Sequence, residues 1–128
     1  MTGNEYQKLA MRTNDWKGTE RLGTLVDASI DCIDIPDFGG MVNGCFGLAG
    51  ESGEVLDIVK KWIFHEKGLD IEHLKKELGD VMWYVAMICE SAGFDLDDIL
   101  QMNVDKLKSR YPNGFDTYLA NHRQESDI

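Results

Sequence analysis

The sequence has little proline, few cysteines and no long apolar run. Its two prolines, Pro36 and Pro112, each lie where a helical pattern of apolar residues stops. Its three cysteines, Cys32, Cys45 and Cys89, are odd in number and lack CxxC spacing, which argues against a disulfide framework or a zinc ribbon. No apolar run approaches ~20 residues and no basic-then-apolar leader opens the sequence, so we expect a cytoplasmic protein that is neither secreted nor membrane-spanning.

Basic residues are also scarce. Lys and Arg total 13 against 23 Asp and Glu, which gives a formal charge of −10 over 128 residues. Because such a field repels phosphate backbones and anionic lipids, we expect no nucleic-acid partner and no membrane. A phosphate-bearing small molecule stays compatible if divalent cations separate the carboxylates from the phosphates. The length and the 43% of hydrophobic residues predict one globular domain, residues 1–128.

Helical periodicity runs along almost the whole sequence. Asn4 and Gln7 have the spacing of a capping box and predict the start of a short first helix. Residues 15–40 predict a weak short helix and then a loop, because glycines and a proline interrupt their apolar stripe. Three longer helices are predicted at about residues 41–64, 71–92 and 96–110, followed by a short polar tail. The predicted fold is therefore all-α, a bundle of about four main helices.

The third predicted helix carries a nearly continuous apolar run over residues 81–89, which predicts that its second half is buried on all sides. Gly93 and Asp95 are suited to end this helix and to begin the next. In the preceding helix, glycines recur every three residues and cost about 1 kcal/mol each relative to alanine. Something must therefore approach that backbone closely, either another helix or a ligand. These glycines are Gly44, Gly47, Gly50 and Gly53.

Two pairs of acidic residues are the candidate ligands of a metal ion. Glu51 and Glu54 are three residues apart on one predicted helix, and Glu77 and Asp80 are three apart on the next. Side chains spaced i and i+3 share a helix face, so two neighbouring helices would place four carboxylates around one cavity. All-oxygen ligation of that kind favours Mg²⁺, with Mn²⁺ as a substitute. Either pair alone would be typical of a solvated helix face.

The histidines do not complete a diiron-type site. None of His65, His73 and His122 lies three residues after a glutamate of either pair, which excludes a ferritin-like interpretation.

Basic and amide side chains favour a phosphate site. Lys61 lies on nearly the same face as Glu54, while Asn103, Lys106 and Arg110 form one stripe on the last helix. Lys and Arg in these places would bind phosphate oxygens. The structural alternative is that they only stabilise the C-terminal end of a helix dipole.

Three stretches resemble the MazG-like nucleoside triphosphate pyrophosphohydrolases: residues 47–55 (GLAGESGEV), 77–81 (ELGDV) and 103–112 (NVDKLKSRYP). The family pattern is E-x-x-E, roughly two dozen residues, then E-x-x-D, and here 22 residues separate Glu54 from Glu77. The resemblance covers about residues 43–115 and, near the N-terminus, residues 5–10.

The resemblance implies an all-α protein that works as a homodimer or homotetramer and uses Mg²⁺ to hydrolyse a nucleoside triphosphate to the monophosphate and pyrophosphate. It implies metal ligation by the four acids, phosphate contacts from Lys106 and Arg110, and nucleotide-facing positions. The four acids are Glu51, Glu54, Glu77 and Asp80, and the nucleotide-facing positions are Tyr84, Asn103 and, more weakly, Asn43.

Attack of water on the α-phosphorus needs a base, and Glu51, Glu54 and Glu77 all remain candidates. The expected substrate is a canonical or modified (deoxy)nucleoside triphosphate, as in nucleotide-pool cleaning. A phosphoribosyl-ATP pyrophosphohydrolase activity and a metal-binding helical interaction module without turnover are the alternatives.

Overall fold

The computed structural model describes residues 1–31 and 35–122, the side chains of residues 29–31 excepted. This part of the chain forms six α-helices and no β-strand, which confirms the all-α prediction. The helices are α1 (Gly3–Ala10, followed by a 3₁₀ turn at Met11–Thr13), α2 (Gly18–Asp31), α3 (Phe38–Phe64), α4 (Ile71–Ala92), α5 (Leu96–Arg110) and α6 (Thr117–Asn121). Among these residues, no helix is both long and apolar enough to cross a membrane.

Helix α1 begins with a capping box, but not with the predicted one. The Glu5 backbone N–H donates to the Thr2 hydroxyl at 3.2 Å, and the Glu5 carboxylate accepts from the Thr2 backbone N–H. The prediction of Asn4 and Gln7 is therefore wrong, and Asn4 lies inside the helix. Both pairs have the same three-residue spacing, so the pattern fitted two registers and the earlier one forms.

The segment at residues 15–40 is more helical than predicted. Helix α2 has 14 residues instead of forming a weak short helix, and α3 begins at Phe38, so Gly39 and Gly40 belong to its first turn and not to a loop. Asp37 causes this early start, because its carboxylate accepts a 2.8 Å hydrogen bond from the Gly40 N–H. Part of the predicted loop, residues 32–34, lies outside the described residues.

Helices α4 and α5 agree with the prediction at both ends. Asp70 caps α4 and Asp95 caps α5, each accepting a 2.9 Å hydrogen bond from a backbone N–H of the first turn. Gly93 ends α4 with a left-handed φ of 71°, a conformation that glycine adopts without a steric penalty.

Helices α3 and α4 form an antiparallel hairpin, and extended helix–helix packing in the described residues is confined to this pair. The Asp37 N–H at the start of α3 donates to the Ser91 carbonyl at the end of α4, at 3.0 Å. Further along, a Cβ built on Gly44 would lie 2.6 Å from Ile88 Cγ1. Gly44 therefore allows the two helices to approach closely.

The other three regularly spaced glycines of α3 divide into two kinds. A side chain on Gly47 would collide with the ring of Tyr84, whereas Gly50 and Gly53 face open space. Of the two explanations that the glycine spacing left open, helix packing therefore accounts for Gly44 and Gly47. It does not account for Gly50 and Gly53.

The second half of α4 is not enclosed on all sides, so that prediction is wrong for a single chain. Its Cys89 and Ala92 are buried, but Met82 is 49% exposed and Trp83 is 58% exposed. The physical reason is that neither α2 nor α5 packs extensively across this surface. The apolar run of α4 thus has one face on α3 and another face open.

The predicted polar tail contains a further short helix. Asp116 caps α6 by accepting a 3.0 Å hydrogen bond from the Leu119 N–H, and the ring of His122 stacks on that of Tyr118 at 4.1 Å. Residues 123–128 lie outside the described part of the chain.

Candidate metal centre

Three carboxylates meet where α3 and α4 face each other. Glu51 of α3 and Glu77 and Asp80 of α4 each place a carboxylate oxygen so that all three atoms lie within 4.8 Å of one another. Glu51 and Glu77 are half-buried, while Asp80 is exposed. They are three of the four acids that the two i, i+3 spacings predict to converge. These three residues are called the acidic cluster below.

Electrostatics within the acidic cluster is unfavourable without a cation. The pKa of Glu51 is raised above its usual value, first by partial burial and then by the neighbouring carboxylate of Glu77, with smaller contributions from Asp80 and Glu54. A divalent cation would offset this repulsion. Because every donor is a carboxylate oxygen, the set fits a hard cation such as Mg²⁺ or Mn²⁺ and offers no soft ligand for zinc.

Glu54, the fourth predicted acid, is exposed and lies outside the acidic cluster. It lines a cavity of about 270 Å³ between the second half of α3 and the start of α4. The other lining residues are Asp57, Ile58, Lys61, Lys67, Gly68, Asp70 and His73. This cavity is called the hairpin cavity below. Glu54 lines it and, by its i, i+3 spacing, shares a face of α3 with Glu51 of the acidic cluster.

Lys61 lies in the hairpin cavity, where it is held by a carboxylate. Its ammonium forms an ion pair with Asp57, which also pairs with Lys60 at 3.2 Å. The two lysines, Lys61 first, hold the pKa of Asp57 below its usual range, and Asp57 in turn raises the pKa of Lys61. Lys61 therefore contributes its charge at the wall of the cavity with its position fixed by Asp57.

Part of the polar stripe of α5 borders a depression that is distinct from the hairpin cavity. Asn103 and Lys106 line a surface depression of about 330 Å³ together with Ile99 and Met102. No residue of α3 or α4 lines that depression, and no residue of α5 lines the hairpin cavity. Within the described part of one chain, Asn103 and Lys106 thus border a different cavity from Glu54 and Lys61.

Arg110 ends the stripe. It is half-buried, and its guanidinium carbon lies 6.0 Å from the centre of the Tyr111 ring.

Tyr84 and Asn43 lie along the α3–α4 contact. The Tyr84 ring packs over Gly47 and meets Trp83 edge to face, with ring centres 4.9 Å apart. Asn43 is exposed, and its amide nitrogen is 3.8 Å from the Met87 sulfur. The geometry of one chain therefore gives both residues packing contacts within the hairpin.

Sequence reasoning missed one residue at the acidic cluster. His73 Nε2 lies 2.8 Å from Glu77 Oε1, one helical turn away. In the sequence, His73 is considered only as a histidine that does not complete an E-x-x-H motif. The signal that would have found it is its i, i+4 spacing to Glu77, which places both side chains on one face of α4.

A helical hairpin with three converging carboxylates is typical of a protein that binds a metal ion. Comparison with known proteins identifies the family. The family model of the MazG nucleotide pyrophosphohydrolase domain matches residues 45–115, more than half of the chain. The chain belongs to this family, as its motifs predict. The matched range contains Glu51, Glu54, Glu77 and Asp80 and the polar stripe of α5.

The chain is also similar to a curated phage protein. The Gene 37 protein of Mycobacterium phage L5 is 38% identical over 88 residues, which cover 66% of this chain and 75% of that protein. No solved structure matches the chain.

Proposed function

We infer that this protein hydrolyses a nucleoside triphosphate to the nucleoside monophosphate and pyrophosphate in a Mg²⁺-dependent reaction. The observation that carries this proposal is the convergence of Glu51, Glu77 and Asp80 within 4.8 Å in a chain that belongs to the MazG family. A bundle surface with clustered carboxylates would repel a triphosphate by itself, so the cluster makes chemical sense as a cation site.

Glu51, Glu77 and Asp80 would hold the cation, with Glu54 beside them. When bound, Mg²⁺ supplies charge neutralisation for the phosphates and lowers the pKa of water, and Mn²⁺ would substitute for it. Removing the proton from the attacking water falls to a carboxylate. Of the three candidate bases, we propose Glu54, because it is exposed at the hairpin cavity and lies outside the group of acids drawn together for the cation.

The phosphates and the nucleoside need further contacts. Lys61 lines the hairpin cavity beside Glu54 and is proposed to face the phosphates. Lys106, Arg110 and Asn103 are proposed to contact the substrate from α5, either within one chain or across an interface between copies of the chain. Tyr84 and Asn43 are proposed to border the nucleotide at the hairpin.

Self-association is the second part of the proposal. Trp62, Trp83 and Phe94 are 47%, 58% and 57% exposed, and no described segment packs extensively over the α3–α4 hairpin. Large apolar side chains left in water favour burial against a second copy, so we propose a homodimer or homotetramer. Light scattering at micromolar concentration should give at least the dimer mass. A monomeric mass would contradict this part.

The substrate is proposed to be a canonical or modified (deoxy)nucleoside triphosphate. Incubation with Mg²⁺ and a panel of triphosphates, followed by phosphorus NMR, should show monophosphate and pyrophosphate in equal amounts. Orthophosphate as the sole inorganic product would contradict the reaction. Phosphoribosyl-ATP belongs in the panel, because its selective cleavage would place the activity in the alternative class, and binding of cation without any product would indicate an interaction module.

A further inference from the structure

His73 lies outside the acidic cluster and contacts it through its side chain. Its Nε2 is 2.8 Å from Oε1 of Glu77. Since a carboxylate oxygen accepts, the imidazole N–H donates. The Glu77 side chain is only 14% exposed, whereas that of His73 is 49% exposed. The bond therefore joins a surface imidazole to an inward carboxylate.

The backbone of His73 is itself fixed. Asp70 caps α4 and accepts a 2.9 Å hydrogen bond from the His73 backbone N–H. This places His73 in the first turn of α4, and His73 is also one of the residues that line the hairpin cavity, together with Glu54. The imidazole thus reaches Glu77 from a capped helix terminus.

Glu77 needs such a partner more than an ordinary surface glutamate does. Its carboxylate lies beside those of Glu51 and Asp80, and mutual repulsion favours rotamers that carry it out towards water. A carboxylate has about four lone-pair sites, so a hydrogen bond from His73 restrains it and still leaves oxygen lone pairs for a cation.

We propose that His73 is a positioning residue that holds Glu77 in the orientation in which the acidic cluster binds a divalent cation. This inference rests on the proposed metal site and adds a residue outside the four acids. A neutral imidazole supplies the required N–H, so the role does not depend on protonation. Removing an outer partner of a metal ligand typically weakens metal binding by about 10- to 100-fold.

The test is Mn²⁺ binding to nucleotide-free protein, measured by the paramagnetic resonance of free Mn²⁺ at about pH 8, where a typical imidazole is neutral. His73→Ala should weaken binding by about 10- to 100-fold. His73→Gln should restore most of the affinity, because its amide nitrogen stands the same number of bonds from Cβ as Nε2. His65→Ala is the matched control, since His65 is exposed and lines neither the cluster nor the hairpin cavity.

Kinetics separates positioning from a direct role in the reaction. His73→Ala should raise the Mg²⁺ concentration needed for half-maximal rate and leave kcat at saturating Mg²⁺ close to the wild-type value. Circular dichroism should give the same helical signal for all variants.

Unchanged Mn²⁺ affinity of His73→Ala would overturn the inference, and so would a His73→Gln variant as weak as His73→Ala. A wild-type protein that binds no Mn²⁺ would overturn it together with the metal site. Wild-type binding that depends on His73, without triphosphate hydrolysis, would support the inference while contradicting the proposed function.

Discussion

Gly47 of α3 lies directly against the ring of Tyr84 of α4, so closely that a single added methyl group would collide with the ring. This contact lies between two others along the same pair of helices. About one turn earlier in α3, Gly44 meets Ile88, and about one turn later, Glu51 meets Glu77 and Asp80. The helix packing and the geometry of the acidic cluster are therefore linked: the spacing that lets the helices approach also brings the carboxylates together.

Gly47→Ala should destabilise the protein. The added methyl must displace the Tyr84 ring, and overpacking of this kind typically costs about 1–3 kcal/mol. Gly50→Ala is the matched control, since Gly50 faces open space in the same helix, and it should stabilise by about 0.5–1 kcal/mol through helix propensity. Urea unfolding followed by circular dichroism measures both. If Gly47→Ala were as stable as Gly50→Ala, the close packing at Tyr84 would be wrong.

Glu51 should contribute less to the stability of the metal-free protein at neutral than at acidic pH. The folded pKa of Glu51 is raised, so between its ordinary value and the raised value the folded state binds more protons than the unfolded chain. This contribution to the free energy of unfolding therefore falls as the pH rises through that window. Glu51→Gln, which cannot ionise, should have a higher Tm than the wild type in EDTA near neutral pH.

The comparison is made by thermal unfolding from about pH 4 to about pH 8, across the usual range of a glutamate. The advantage of Glu51→Gln should grow with pH and should shrink when Mg²⁺ is added to both proteins, because the cation stabilises the wild type preferentially. An advantage that is absent near neutral pH would show that the carboxylates do not repel one another.

Asp80→Asn and Glu54→Gln should both abolish turnover, but for different reasons. Asp80 belongs to the acidic cluster, so its substitution should also weaken Mn²⁺ binding in the absence of nucleotide. Glu54 lies outside the cluster and is the proposed base, so Glu54→Gln should retain more of the Mn²⁺ affinity. Both proteins should keep the helical signal of the wild type.

Glu90→Gln provides the control for charge alone, because Glu90 is an exposed acid near the other end of α4. It should leave turnover and Mn²⁺ affinity unchanged. A near-normal rate of Asp80→Asn or Glu54→Gln at saturating Mg²⁺ would remove that residue from the site.

Lys106→Ala and Arg110→Ala should each lower kcat/KM by about 10- to 100-fold, since a hydrogen bond to a charged phosphate oxygen is worth roughly 1.5–3 kcal/mol. Mn²⁺ affinity without nucleotide should not change, because neither side chain can bind a cation. Lys108→Ala, an exposed lysine of the same helix outside the stripe, should leave kcat/KM unchanged. A loss below about twofold in both variants would leave these residues as charges that stabilise a helix end.

The sequence predicts the longer helices well because their signals are local. Periodicity, Asp95 as a cap and Gly93 as a C-terminal stop act within a few residues. The first capping box was placed wrongly because Thr2–Glu5 and Asn4–Gln7 share one spacing. The start of α3 was missed because the capping bond of Asp37 outweighs the poor helix propensity of the glycines that follow it.

For the site, too, the sequence predicts what local helical geometry determines and not what distant contacts determine. Acids spaced three residues apart predict four converging carboxylates, because helical geometry fixes which faces they share. Three of them, Glu51, Glu77 and Asp80, lie together, whereas Glu54 lies outside this group. Periodicity cannot place α5 relative to the hairpin, because that depends on tertiary or intermolecular contacts. Trp83 is a second example. The apolar run of residues 81–89 predicts that it is buried, but it is exposed in the single chain because no other described helix packs extensively over it.

The measurement that tests the central claim most directly is hydrolysis of a nucleoside triphosphate in heavy-oxygen water with Mg²⁺, followed by phosphorus NMR. Attack on the α-phosphorus should place the heavy oxygen on the nucleoside monophosphate and release unlabelled pyrophosphate, and Asp80→Asn should release neither product. Label in the pyrophosphate, release of orthophosphate as the inorganic product, or a triphosphate left intact by the wild-type protein would contradict the account.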